Sequence, residues 1–252
     1  MKYSKWHVLS VCVLLVSVLA ACNTNSYKLR DTNAHYLLID SSVGYSPSVE
    51  NYIQPYRDSL QMAMQKVIGY AEQELYGGLP EGLLTNFVTD LVLEECNVVA
   101  DDHLIDVSVI NIKGLRVPIS KGDIRVENIY QLMPFENEVV LLTLSRQQMV
   151  ELFDFIAGCG GEGMAGASFG IKDKKAMNIR VAGRPLEDRN YRVATSDYLA
   201  DGGDHFEVFT KALAREGSGL KIRDLIIDHI KKLSSQGQSV NSELDKRIYY
   251  AE

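Results

Sequence analysis

Histidine and cysteine are scarce in this chain, with five and four copies in 252 residues. No C-x-x-C pair, no H-x-H and no H-E-x-x-H string occurs, so the short spacings that build zinc sites and redox pairs are missing. His7, His35, His103, His205 and His229 lie in unrelated segments. A two-metal hydrolytic centre instead gathers several His, Asp and Asn ligands from loop ends, so none is expected within this chain. A basic surplus is lacking too. Twenty-six lysines and arginines against 33 acids leave a net charge of −7, which argues against a nucleic-acid polymer as partner, because phosphate-backbone binding needs a basic face. A small nucleotide held by a few local groups remains compatible with that charge. Neither Cys96 nor Cys159 has a histidine beside it in sequence, and the glycine string at 158–163 follows a predicted helix rather than a strand, unlike a dinucleotide fingerprint. Asp101-Asp102-His103 reads as a charged turn, and Glu94-Glu95 as the exposed face of a helix.

The longest apolar run is N-terminal. Lys2 and Lys5 precede an apolar stretch over 11–19 that ends Leu19-Ala20-Ala21-Cys22, the pattern of a secretory signal. With its terminal cysteine it resembles the lipobox of bacterial lipoproteins, which implies cleavage before Cys22 and acylation of that residue. The alternative is a plain signal peptide with an incidental cysteine. The expected organisation is a signal over 1–21, a polar tether over 22–35 and one folded domain over 36–252. The expected location is the bacterial cell envelope, periplasmic or at the outer membrane, with the membrane reached through the lipid. With Lys2 and Lys5 removed, 24 basic and 33 acidic residues give the remainder a charge of −9. Cys12 leaves with the signal, so Cys96 and Cys159 are the remaining thiols; an oxidising envelope would let them pair, but they read as two buried free thiols.

Apolar periodicity places the elements. Residues 48–69 read as a helical region, with Leu60, Met64, Val67 and Ile68 at helical spacing. A second helix starts at Leu83. Residues 104–110 and the run EVVLLTL from Glu138 read as strands, and a helix follows that Ser145 caps and Gly158 ends. The glycine-dense stretch 158–170 reads as a loop. From Asn178, NIRVAGRPLEDRNYRVATSDYL reads as two strands joined by a Gly-Arg-Pro turn. The last helix, over 222–233, sets Ile222, Leu225, Ile226, His229 and Leu233 near one face. Strands and helices interleave without a strict β-α-β rhythm, which predicts a layered α+β domain with a mixed β-sheet.

Three segments carry a resemblance. NIKGLRVPISKGDIRVENIYQLMPFENEVV, from Asn111, is similar to the stretch in which 5'-nucleotidases have Asn-Gly-Gly-Gly-Ile-Arg, then Gly-Asp-Ile, then Leu-Pro-Phe-Gly-Asn. YRVATSDYLADGGDHF, from Tyr191, resembles their second signature, and EGLLTNFVTDLVL, from Glu81, their Glu-x-x-Leu-Gly-Asn-Leu helix. The order and spacing agree over almost the whole chain after the signal. What is matched is the C-terminal, substrate-binding domain of those enzymes; the calcineurin-like domain with two metal ions has no counterpart among these segments.

The resemblance implies roles for particular residues. Phe135 and Tyr198 match the two aromatics that sandwich the base, and Asn137 a side chain that contacts it. Asp204 matches the carboxylate that holds the ribose hydroxyls. Arg116 matches a phosphate-binding arginine, and Asn111 the first residue of its string. The chemistry is suitable: aromatic faces stack on any base, an ionised carboxylate accepts two vicinal hydroxyls, and guanidinium presents a fork to phosphate. Each residue also has a plain structural account. Phe135 fits a core, Tyr198 the end of a strand, Asp204 a Gly-Gly-Asp turn and Arg116 a strand surface. Departures concern the phosphate. Ile112 and Lys113 replace two of three glycines, and Gly78 stands where a further arginine is usual, with Lys113 a partial substitute. The implied function is the nucleoside- or nucleotide-binding half of a 5'-nucleotidase-type hydrolase in nucleotide catabolism. No metal is expected in this chain; the divalent dimetal centre would sit on a separate metallophosphatase subunit. The alternatives are a non-catalytic nucleoside-binding envelope lipoprotein and a divergent domain that binds no nucleoside.

Overall fold

A computed structural model describes residues 44–99 and 104–252, with positions 6, 9, 32, 36, 37, 39 and 40 before them. Cys22, most of the signal and tether, and Asp101, Asp102 and His103 lie outside the described residues. Residues 51–252 form one compact unit, separate from residues 1–50.

Helix α1, Pro47–Met64, buries none of its side chains and ends before the apolar residues expected to continue it. Val67 and Ile68 instead start strand β1, Val67–Ala71, which pairs antiparallel with β3, Gly122–Arg125. Cross-strand pairing overrides the helical spacing here, because the strand buries Ile68 and Ala71 against the core. Helix α2, Leu83–Val99, forms as its spacing predicts. Glu81, just before it, accepts hydrogen bonds from Asn86 (3.2 Å) and from the backbone N–H groups of Lys246 and Ile248, tying the C-terminal segment to the helix start.

The central sheet has five strands in the order β10-β4-β9-β2-β5. Its members are β2 Val107–Ile110, β4 Glu138–Leu144, β5 Gly163–Ala165, β9 Tyr191–Ser196 and β10 Ala214–Lys221. Strands β2 and β9 run parallel, and the other neighbours run antiparallel. A period-2 alternation splits its side chains between two cores. Val139, Leu141 and Ala194 face α2, the short helix α3 (Val126–Leu132) and α6 (Ile222–Ser235). Val140, Leu142, Leu144 and Val193 face α4 (Arg146–Cys159) and a second sheet. That sheet orders β11 (Ile248–Tyr250), β6 (Ala167–Lys172), β7 (Lys175–Val181) and β8 (Arg184–Pro185). Between the two signature-bearing strands β4 and β9 and the second sheet, Phe153 and Phe169 meet edge to face at 5.4 Å, both fully buried. Burying such a ring contributes roughly 1.5–3 kcal/mol. The fold is a layered mixed α/β arrangement, as the element order implied.

Four further local expectations are corrected. Ser145 does cap α4, through a reciprocal box with Gln148 (2.9 and 3.3 Å), but the helix continues through Gly158 to Cys159 and ends on left-handed Gly160. The stretch 158–170 is not a loop: it holds β5 and the start of β6. Its glycines admit close backbone approach, since a Cβ on Gly163 would lie 2.6 Å from the Ile110 carbonyl oxygen and one on Gly166 2.1 Å from that of Asp106. The Gly-Arg-Pro turn is shifted as well. The chain reverses at Ala182-Gly183, Arg184 and Pro185 belong to β8, and the strand from Tyr191 lies in the other sheet. Of the thiols, Cys96 is buried and Cys159, at the end of α4, is exposed rather than buried; both are free. Burial, aided by the Glu95 charge, pushes the Cys96 thiol up to about 11.

Candidate functional site

The sheet order brings the chemistry to one edge. Parallel β2 and β9 end at the same side, and antiparallel β4 begins there, with Val139 opposite Ser196. Asn111 follows β2, Asp197 and Tyr198 follow β9 as the one-turn helix α5 (Asp197–Ala200), and Phe135 and Asn137 precede β4. A cleft of about 430 Å³ opens between them, lined by Asn111, Arg116, Phe135, Asn137, Tyr198 and Asp204. All six candidate residues from sequence therefore share one cavity, and Lys113 joins them.

Phe135 is 44 % and Tyr198 46 % exposed, so neither ring is a core residue. Asn137 donates from Nδ2 to Asp197 Oδ1 at 2.7 Å, which joins the β4 side of the cleft to the β9 side. Asp197 Oδ1 also takes the Tyr198 N–H at 2.7 Å, and Ser196 Oγ accepts the Leu199 N–H at 3.1 Å. The Gly-Gly-Asp turn then folds back on Tyr198. Gly202 has φ +88°, Asp204 φ +48° and His205 φ +67°, and a Cβ on Gly203 would sit 2.5 Å from the Tyr198 ring. Only glycine at 203 leaves the ring where it is.

Asp204 is held from both sides. Its Oδ2 accepts from Asn111 Nδ2 at 2.7 Å and its Oδ1 from the Tyr198 hydroxyl at 3.0 Å, while its own N–H donates back to that hydroxyl at 3.2 Å. A carboxylate has about four acceptor positions, so roughly two remain, enough for a pair of vicinal hydroxyls. Asn111 itself is buried, and Gly114 gives it room, since a Cβ there would lie 2.8 Å from Asn111 Oδ1. Lys113 and Arg116 form no ion pair among the described residues, and the Arg116 guanidinium lies 6.0 Å from the Phe135 ring centre. Two unpaired cations and one carboxylate thus face the same cleft.

Glu162 was not singled out from sequence. It accepts the Ile112 N–H at 2.7 Å and so anchors the single-turn 3-10 helix Ile112–Gly114 that carries Lys113. Burial raises its pKa, the Ile112 hydrogen bond and Lys113 lower it, and the Asp204 charge adds to the rise, leaving it above its ordinary value. A raised folded pKa means that the folded state holds the proton more tightly, so this group's contribution to stability is lost as pH rises through that value. Glu162→Gln, which keeps the acceptor oxygen, is expected to gain stability relative to wild type as pH climbs above about 4.5. Urea unfolding of both proteins across a pH series checks it; parallel profiles would count against the assignment.

Two further motifs take structural meaning. Gly166-Ala-Ser-Phe-Gly170 has the G-x-S-x-G spacing of a hydrolase nucleophile, but that motif requires a sharp strand-to-helix turn. Ser168 instead lies within β6, paired with Arg180 of β7. Glu94-Glu95 is exposed only at Glu94. Glu95 bonds His229 Nδ1 at 3.0 Å, and the three residues offer ligand atoms within 4.8 Å of one another. Lys232 Nζ lies 3.1 Å from both carboxylates, and none of the three lines the cleft. Burial pushes Glu95 up, but the His229 and Lys232 hydrogen bonds outweigh it and hold the carboxyl low. The cluster is a charge network closed by a lysine, and one histidine does not fit a dimetal phosphatase centre.

Fold and cleft together define a mixed α/β domain whose polar and aromatic groups converge in a cleft at the end of a parallel strand pair. The chain belongs to the family of 5'-nucleotidase C-terminal domains, whose model matches residues 67–211. It is 26 % identical over 241 residues to the trifunctional nucleotide phosphoesterase protein YfkN of Bacillus subtilis, covering 86 % of this chain and 16 % of that protein. Protein UshA of Escherichia coli is 26 % identical over 141 residues, 54 % of this chain and 26 % of its own. Among solved structures, the 5'-nucleotidase precursor from Thermus thermophilus aligns with a TM-score of 0.67 at 24 % identity, over 81 % of this chain and 43 % of that one. This chain thus spans less than half the length of each of these relatives.

Proposed function

We propose that this chain is the nucleoside- or nucleotide-binding half of a 5'-nucleotidase-type phosphohydrolase. The observation that carries the reading is the cleft, in which two half-exposed rings, a carboxylate with two open acceptor positions and two unpaired cations converge. In this reading Phe135 and Tyr198 hold the base, Asn137 contacts its edge, Asp204 receives the ribose hydroxyls, and Arg116 with Lys113 meets the phosphate. The divalent dimetal centre is supplied from outside these residues, by a separate metallophosphatase chain. The Lys2 to Cys22 pattern supports secretion and lipid attachment at Cys22, which would place the cleft at the membrane surface of the bacterial envelope.

The test is a phosphate-release assay with AMP and a divalent metal. This chain, a metallophosphatase chain encoded beside it, and the two mixed are compared. Mixing is expected to raise the rate above the sum of the separate rates, and Asp204→Ala to remove that gain. No gain on mixing would sink the two-chain reading, and adenosine binding by this chain alone would then favour a capture role without catalysis.

A further inference from the structure

The loop that presents Phe135 is gripped by the start of α6, residue against residue. The Ile222 N–H donates to the Asn137 carbonyl at 3.0 Å, and Lys221 Nζ donates to Glu136 Oε2 at 2.8 Å. Arg223 donates from Nη1 to the Phe135 carbonyl at 3.3 Å and from Nη2 to Glu136 Oε1 at 2.9 Å. Three consecutive residues of the loop are thus fastened by Lys221, the last residue of β10, and the first two residues of α6. Lys221 and Arg223 together hold the Glu136 carboxyl below the usual range.

Arg223 is unusual in its setting. It is 6 % exposed, its guanidinium lies 4.2 Å from the Tyr130 ring centre, and its Nε is the one buried side-chain polar atom without a partner among the described residues. Burying a cation with one hydrogen bond unmade is unfavourable, and an apolar side chain of similar volume would fill the space without that cost. Core packing therefore does not account for the residue. Both acceptors it does reach lie on the Phe135 loop.

We infer that Arg223 is a positioning residue of the cleft: with Lys221 and Glu136 it fixes residues 135–137, so that Phe135 stands ready opposite Tyr198 before a ligand arrives. The inference rests on the stacking role proposed above for Phe135. Binding then need not order a half-exposed ring, which removes an entropic cost otherwise borne by the complex. Lysine cannot replace it, because only the planar fork reaches two acceptors while stacked on Tyr130.

The experiment uses a single-tryptophan reporter, Trp6→Phe combined with Phe135→Trp, in the full chain. Acrylamide quenching and anisotropy decay of the introduced tryptophan are recorded without ligand, and adenosine affinity is measured by calorimetry. Arg223→Met and Arg223→Lys are expected to raise the quenching rate and speed the decay. They are expected to weaken adenosine binding about two- to tenfold, the scale of ordering one side chain. Glu136→Gln, at a mostly exposed carboxylate, gives a milder form of the same change should Arg223→Met not fold. Restoration of slow decay by Arg223→Lys would contradict the need for a fork. An introduced tryptophan as ordered in Arg223→Met and Glu136→Gln as in the parent would overturn the inference. If the parent binds no adenosine, the stacking role fails while the fluorescence still decides the clamp.

Discussion

Replacing Phe135 or Tyr198 with alanine is expected to weaken adenosine binding by about 5- to 150-fold each, the equivalent of the ~1–3 kcal/mol that a stacked base gains from one ring. The Phe135 side chain is near half exposed and makes no hydrogen bond, so the melting temperature of Phe135→Ala should scarcely move, which separates lost stacking from lost folding. The two positions are not equivalent. Phe135 contributes only its ring, whereas Tyr198 also donates to Asp204 and receives that residue's N–H. Tyr198→Ala therefore frees the Asp204 turn as well as removing a wall, and should be the more damaging change. Tyr198→Phe keeps the wall but loses both hydrogen bonds to Asp204, so its affinity should fall between those of wild type and Tyr198→Ala. Calorimetric titration of the three variants distinguishes the contributions; an alanine pair that binds as wild type does would remove the basis for a base-stacking cleft.

The cleft was legible in the sequence and its support was not. Phe135, Asn137, Tyr198 and Asp204 stand in short strings whose composition survives without knowledge of the fold, and β4, α2 and α6 have strong apolar periods. The glycines at 163, 166 and 170 looked like a loop because composition does not separate a turn from a strand packed against backbone. Gly170, for instance, lies against Tyr249, with a Cβ there 3.0 Å from the ring. Likewise Val67 and Ile68 continue a helical spacing, and only the β3 partner, more than 50 residues away, makes them a strand. Glu95 with His229, Glu162 with Ile112, and Arg223 with Phe135 are contacts between distant elements. No local spacing announces them, since each depends on the register of the whole sheet.

The second large effect is expected from a residue that never touches the cleft. Phe206 directly follows the Gly-Gly-Asp-His turn and is fully buried, stacked on Phe209 at 5.2 Å and 11° and meeting Phe155 edge-on at 4.7 Å. Phe206→Ala should cost about 3–5 kcal/mol through lost burial and the cavity left behind. That is a large part of the roughly 5–15 kcal/mol that keeps a domain folded. At ~2–4 °C per kcal/mol for a domain of this size, the melting temperature should fall by at least ~6 °C, with a matching drop in the urea midpoint. The left-handed conformations at Gly202, Asp204 and His205 are tolerated only while the flanking chain is pinned, and Phe206 is the pin on the C-terminal side. Its loss should therefore also weaken adenosine binding in the fraction that stays folded. Phe206→Leu, which fills most of the volume, should lose less stability and keep the turn. Should Phe206→Ala shift the urea midpoint no more than Phe206→Leu does, the turn must be held by its own hydrogen bonds to Tyr198 and Asn111 rather than by the aromatic cluster beneath it.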